Sequence, residues 1–125
     1  MLNLISIASG GAIGALLRHL LIVRATIIGG TAFPFGTLFV NVIGSFLMGV
    51  IIGYLVKTLP HSMELRSFLT VGLLGGFTTF SAFSLDTITL FERGAFTYAT
   101  LYVLSSVVFS LLSVFCGLQL IRSFF

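Results

Sequence analysis

The chain has 125 residues, 58% of them hydrophobic and only 7% charged, against about a quarter charged residues in a soluble globular domain. Its formal net charge of +3 comes from basic residues standing singly between apolar runs, which makes no patch for nucleic acid. Cys116 is the only cysteine, which excludes an intrachain disulfide and a cysteine metal cluster. No Ser-His-Asp spacing, paired buried carboxylates or glycine-rich phosphate loop followed by Lys points to an enzyme.

A bilayer core about 30 Å thick asks for about 20 apolar residues per spanning helix. Residues 1–125 are therefore expected to form a single all-α integral membrane domain of four spans, with nothing left for a soluble domain. The first span covers about 2–23, carries no charge before Arg18 and stops at Arg24, ahead of Gly29-Gly30 and Phe33-Pro34. Met1 to Leu17 lacks the basic start of a secretory signal, so this helix is expected to stay. The second, about 35–56, is free of charge and ends at Lys57, before Thr58-Leu59-Pro60-His61-Ser62.

The third span, about 66–91, has Gly75-Gly76-Phe77-Thr78-Thr79-Phe80-Ser81 at its middle, a poor continuous helix. It is predicted to be interrupted. The fourth, about 95–122, follows Glu92-Arg93-Gly94, closes at Arg122 and is long enough to tilt. Small residues recur every four positions at Gly10 and Gly14, at Ser45, Gly49 and Gly53, and at Gly72 and Gly76. Each such row is read as a seam where helix backbones approach closely in lipid.

With four spans the termini share one side with the loop after span two. That side holds Lys57, Arg66 and Arg122, and the other holds Arg18 at its helix end, Arg24 and Arg93. Orientation normally follows an excess of Lys and Arg on one side. A tie predicts insertion both ways and an antiparallel homodimer.

Polar groups within a span mark helix contacts or an ion path. Asn41 in span two fits either. In span four Tyr102, Ser106, Ser110 and Ser113 fall on one helical stripe, read as a polar track, while Ser105 and Cys116 look like packing. Phe80 and Phe83, one turn apart beside Ser81 and Ser84, have positive ring edges that can attract an anion.

Interrupted backbone at membrane depth must be buried or line a wet cavity. Its freed carbonyls could bind a cation, with two from each copy if the break lies on a two-fold axis. Arg18 is read as an interfacial anchor or as charge for an anion route. Asp86, His19 and His61 are placed near helix ends and read as interfacial.

Three segments occur in order: Gly10-Gly11-Ala12-Ile13-Gly14-Ala15-Leu16-Leu17-Arg18, then Gly36-Thr37-Leu38-Phe39-Val40-Asn41-Val42-Ile43-Gly44-Ser45, then Gly75-Gly76-Phe77-Thr78-Thr79-Phe80-Ser81-Ala82-Phe83-Ser84. Together, along the whole chain, they resemble the Fluc (CrcB) family of small dual-topology fluoride channels. The resemblance implies passive fluoride export and fluoride resistance at the bacterial cytoplasmic (inner) membrane, by an antiparallel homodimer with two narrow pathways and a central structural sodium ion.

By the same resemblance Gly75 and Thr78 give backbone carbonyls to sodium, Phe80 and Phe83 turn ring edges to fluoride, and Asn41 donates to it. Tyr102, Ser106 and Ser110 continue the route, with Ser81, Ser84 and Arg18 counted in the same anion pathway. One position departs, since Ala82 stands where the family usually has Thr. It removes a hydroxyl and only trims volume, leaving two readings, slower conduction or an engineered change. On this scheme Phe80→Ile and Asn41→Asp abolish flux and leave the dimer assembled.

The competing class is a small dual-topology proton-coupled multidrug exporter. It needs a deep carboxylate; span one has none, and Asp86 is placed too near a helix end. A structural assembly protein would leave the broken span and the polar track without purpose.

Overall fold

The computed structural model describes residues 1–59 and 61–124. Pro60, in the expected loop after span two, lies outside them. The described residues contain helices and no strands, and four spans are long and apolar enough to cross a membrane.

Helix α1, Leu2–Gly29, continues past the expected stop at Arg24. A single arginine is a good helix residue, whereas Gly30 takes a positive φ of 76° that other residues avoid. The chain turns there, with the Gly30 N–H closing on the Thr26 carbonyl at 2.9 Å. Helix α2 covers Phe35–Thr58. The third span, Met63–Glu92, has four parts. It starts as α3, Met63–Arg66, widens into a π-helix, π1, over Ser67–Leu74, and regains α geometry in α4, Gly75–Phe77. After a break at Thr78 and Thr79 it resumes as α5, Phe80–Glu92. Gly94, at a φ of 74°, turns the chain into α6, Phe96–Phe124.

Two pairs of helices, each running the same way, make the body. Lipid tails are as apolar as leucine, so helices associate through close packing and polar contacts. Along α1 and the first half of span three the glycine rows lie backbone to backbone. A Cβ on Gly10 would stand 2.6 Å from the Phe68 carbonyl oxygen, and one on Gly76 would stand 2.6 Å from that of Gly11. Along α2 and α6, Gly49 and Gly117 meet in the same manner, and a Cβ on Gly117 would lie 2.9 Å from the Val50 nitrogen. The row on α2 divides its work: Gly49 and Gly53 pack on α6, while Ser45 lines a cavity.

Three placements are corrected, two by the longer α1 and one by the bounds of α5. Arg18 and His19 stand inside the helix, not at its end, because no breaker follows them before Gly30. Arg18 therefore leaves the count of basic residues near helix ends, which becomes three against two, Arg24 in the last turns of α1 and Arg93. Asp86 lies in the middle of α5, because that half-helix runs on to Glu92.

Candidate anion site at the helix break

The break is built from two β-branched residues in sequence, which suit extended backbone better than helix. Thr78 sits at φ −83°, ψ 157° and Thr79 at φ −152°, ψ 120°. Extended backbone at this depth needs partners for its polar groups, and Asn41 supplies them. Its Nδ2 donates to the Thr79 carbonyl at 2.9 Å, and its Oδ1 accepts from the Thr79 N–H at 2.7 Å. The amide thus pairs with Thr79 as a neighbouring strand would. A primary amide has two N–H donors, and this pairing uses one.

The carbonyls of residues 75–78, ahead of the break, lose their helical donors in consequence. A continuous helix would send the Thr79 N–H to Gly75 and the Ala82 N–H to Thr78. The first goes to Asn41, and the second goes to Thr79 Oγ1 at 3.1 Å, capping α5. Gly75 and Thr78 are thus freed, as are Gly76 and Phe77, whose donors would come from residues 80 and 81 across the break. The Thr78 carbonyl accepts from Arg18 Nη1 at 3.3 Å, so a guanidinium stands beside the break at the middle of the span. Ala82 contributes its N–H to this cap, a bond that its missing hydroxyl does not touch. Thr79→Val removes the capping oxygen at constant shape and is expected to cost about 1 kcal/mol. The check is the thermal midpoint in detergent, and an unchanged midpoint would mean that Ala82 finds the Thr78 carbonyl instead.

Beside the break a cavity of about 410 Å³ opens onto the surface of the chain. Five of the residues named from the sequence for the anion pathway converge on it: Asn41, Phe80, Phe83, Ser106 and Ser110. Thr78 and Thr79 line it from the break. Ser106 is only 5% exposed, and its Oγ has no hydrogen-bond partner among the described residues. The Phe80 and Phe83 rings lie 5.3 Å apart, tilted by 47°, and Phe80 is 78% exposed.

The other named residues are held elsewhere. The Ser81 hydroxyl lies 3.3 Å from Thr79 Oγ1, and Ser84 Oγ donates to the Phe80 carbonyl of its own helix at 2.9 Å. Tyr102 is fully buried, and its Oη donates to Asp86 Oδ2 at 3.0 Å. Its ring, not its hydroxyl, faces the site's neighbour Phe83, at 5.4 Å. The sequence reading gave Thr79 and Asp86 no role in the site. Thr79 carried a usable signal, a Thr three residues ahead of the N–H it caps. Asp86 carried none, because nothing in its spacing announces a tyrosine from another helix.

The comparisons agree on a family. Residues 5–118 match the family model described as CrcB-like protein, Camphor Resistance (CrcB). A curated relative from Agrobacterium fabrum, named fluoride-specific ion channel FluC, is 49% identical over 125 residues, covering all of both chains. A second of the same name from a Chelativorans species is 54% identical over 123 residues, 98% of each chain. A third, from Rhodopseudomonas palustris, is 50% identical over 114 residues, 91% of this chain and 92% of its own. These relatives are named as channels and not as enzymes. Four apolar spans, a break paired by Asn41 and a match along nearly the whole chain thus make this multi-pass membrane protein a member of the CrcB family, and not an enzyme.

Proposed function

We propose that the chain is a fluoride-selective channel that lets fluoride leave the cell passively across the bacterial cytoplasmic membrane. The observation that carries this reading is the cavity at the break, lined by Asn41, Phe80, Phe83, Ser106 and Ser110, with the Ser106 hydroxyl buried behind that lining and without a partner among the described residues. A buried polar group with no partner is costly, and a small anion relieves that cost here. Fluoride is strongly hydrated, so a selective path replaces its water with close donors in a space too tight for larger anions. The second N–H of Asn41, the Ser106 and Ser110 hydroxyls and the edges of Phe80 and Phe83 form such a set. The names of the relatives, fluoride-specific ion channels, support the same choice of anion.

The working unit of this reading is an antiparallel dual-topology homodimer with two pathways. A cavity that opens the helix break onto the surface of one chain leaves non-helical backbone at membrane depth, and a second copy would cover it. A near balance of basic residues, three against two, fits insertion in both orientations.

A structural sodium ion belongs to the proposal as well. Sodium is a hard cation that takes oxygen ligands, and the residues fit. The Gly75 and Thr78 carbonyls, two of the four freed at the break, lose their donors to Asn41 and Thr79 Oγ1, and they would hold it, Thr78 sharing its oxygen with Arg18. Bound there, the ion would supply fixed positive charge near the anion route.

Purified protein in liposomes tests the reading. Fluoride efflux is expected, with chloride excluded and flux insensitive to an imposed proton gradient. Chloride passing equally well would end the fluoride reading, and flux driven by protons would favour an exporter built on Asp86. Replacing sodium on both faces by a large organic cation is expected to abolish flux, and unchanged flux would remove sodium from the proposal.

A further inference from the structure

An aromatic file runs from a loop to the cavity. It begins at Phe33, between α1 and α2. The Phe33 ring stands edge-on to Tyr102, 5.5 Å away at 88°, and edge-on to Tyr98 at 6.0 Å. Tyr102 then meets Phe83 at 5.4 Å, and Phe83 meets Phe80 at 5.3 Å. Only the last two rings line the cavity.

Tyr102 has few ways to move on its own. It is fully buried with Leu90 and Ala99, and Asp86 holds its hydroxyl. Phe33 closes this cluster from the loop side, together with Leu38 and Ala95. The loop is itself tied down: Arg93 Nη1 donates to the Thr31 carbonyl at 3.3 Å, and the Phe35 N–H closes on the Phe33 carbonyl at 2.9 Å. Phe33 also packs on Phe35 at 4.7 Å. A ring attracts an anion at its edge and repels it at its face, so the tilt of Phe83 matters as much as its presence.

We infer that Phe33 is a positioning residue. It acts through Tyr102 to fix the tilt of Phe83, and so sets how well the site separates fluoride from larger anions. The inference rests on the fluoride-channel reading for its consequence, but not for the mechanical link.

Two measurements test it, each on the full chain after gel filtration has shown the same assembly. In liposomes, Phe33→Ala is expected to lower fluoride efflux about tenfold, the upper end of what one aromatic pair contributes, and to narrow the fluoride-to-chloride ratio. Phe33→Tyr should restore both. In a Tyr102→Leu background the alanine should add nothing, since residues acting through one contact are not additive. Wild-type rate and ratio in Phe33→Ala, or an undiminished effect in the Tyr102→Leu background, overturns the inference. If the alanine variant does not assemble, Phe33→Leu, which keeps apolar bulk without a ring, is read in its place.

The second measurement is ¹⁹F NMR of 4-fluorophenylalanine placed at position 83. Phe33→Ala should shift or split the resonance. An unchanged resonance breaks the link even if flux falls. Wild-type protein that carries no fluoride would refute the channel reading, and with it the claim on selectivity, while a shifted resonance would still uphold the link from Phe33 to Phe83.

Discussion

Asn41→Asp is expected to lower fluoride flux by about a hundredfold or more in liposomes, with the protein still eluting at its normal position. Two effects add. The carboxylate cannot donate to the Thr79 carbonyl, so the 2.9 Å bond is replaced by two acceptors facing each other. It also places negative charge in the cavity that is to hold an anion. At about 5 Å and an effective dielectric constant of about 20, two like charges repel by about 3 kcal/mol, which by itself supplies the hundredfold. Asn41→Leu separates the two effects, because it removes the donors without adding charge. It should lose less flux than the aspartate. Wild-type flux in Asn41→Asp would take Asn41 out of the pathway.

Gly76→Val tests the seam between α1 and the first half of span three, and most of the folded protein should be lost. Its Cβ would stand 2.6 Å from the Gly11 carbonyl oxygen and 3.1 Å from the Gly11 Cα. Both are backbone atoms that cannot step aside, so the helices must part. Overpacking costs about 1–3 kcal/mol where side chains can yield, and more is expected here because only backbone is available to move. The neighbouring glycine is the control. A Cβ on Gly75 meets nothing nearer than the Thr70 carbonyl oxygen at 3.5 Å, an ordinary contact, so Gly75→Ala should assemble normally. Gel filtration and yield in detergent distinguish the pair, and equal behaviour of the two variants would show that the seam is not tight.

Hydropathy made the four spans legible, because lipid demands the same apolar length of each. The end of α1 is not legible, since a lone Arg24 resembles an interface marker and nothing but Gly30 stops that helix. The interruption was expected over Gly75 to Ser81, yet only Thr78 and Thr79 leave the helix. Glycine weakens a helix without forbidding one, and here Gly75 and Gly76 both stay helical, Gly76 serving the close approach to α1. The π-helix over Ser67–Leu74 has no signature in its residue types.

For the site, spacing was a sound guide to helix faces. It put Ser106 and Ser110 on one side of α6, and both reach the cavity. It could not say where a long side chain ends, and the Tyr102 hydroxyl reaches Asp86 on α5. Asn41 was left between two readings, and the structure gives it the helix contact while leaving one N–H for the other. The depth of Arg18 was hidden for the same reason as the end of α1.

The double pairing of Asn41 with Thr79 also constrains how such a channel can change. One side of the amide takes the N–H that would have held the Gly75 carbonyl, and the other has a proton left for the cavity. In the proposed channel a single side chain therefore serves both the cation and the anion, so no substitution at position 41 can retune one without disturbing the other. Evolution or engineering toward a different anion would have to leave this residue alone and work through Ser106 and Ser110 across the cavity, where the bill falls on the anion only.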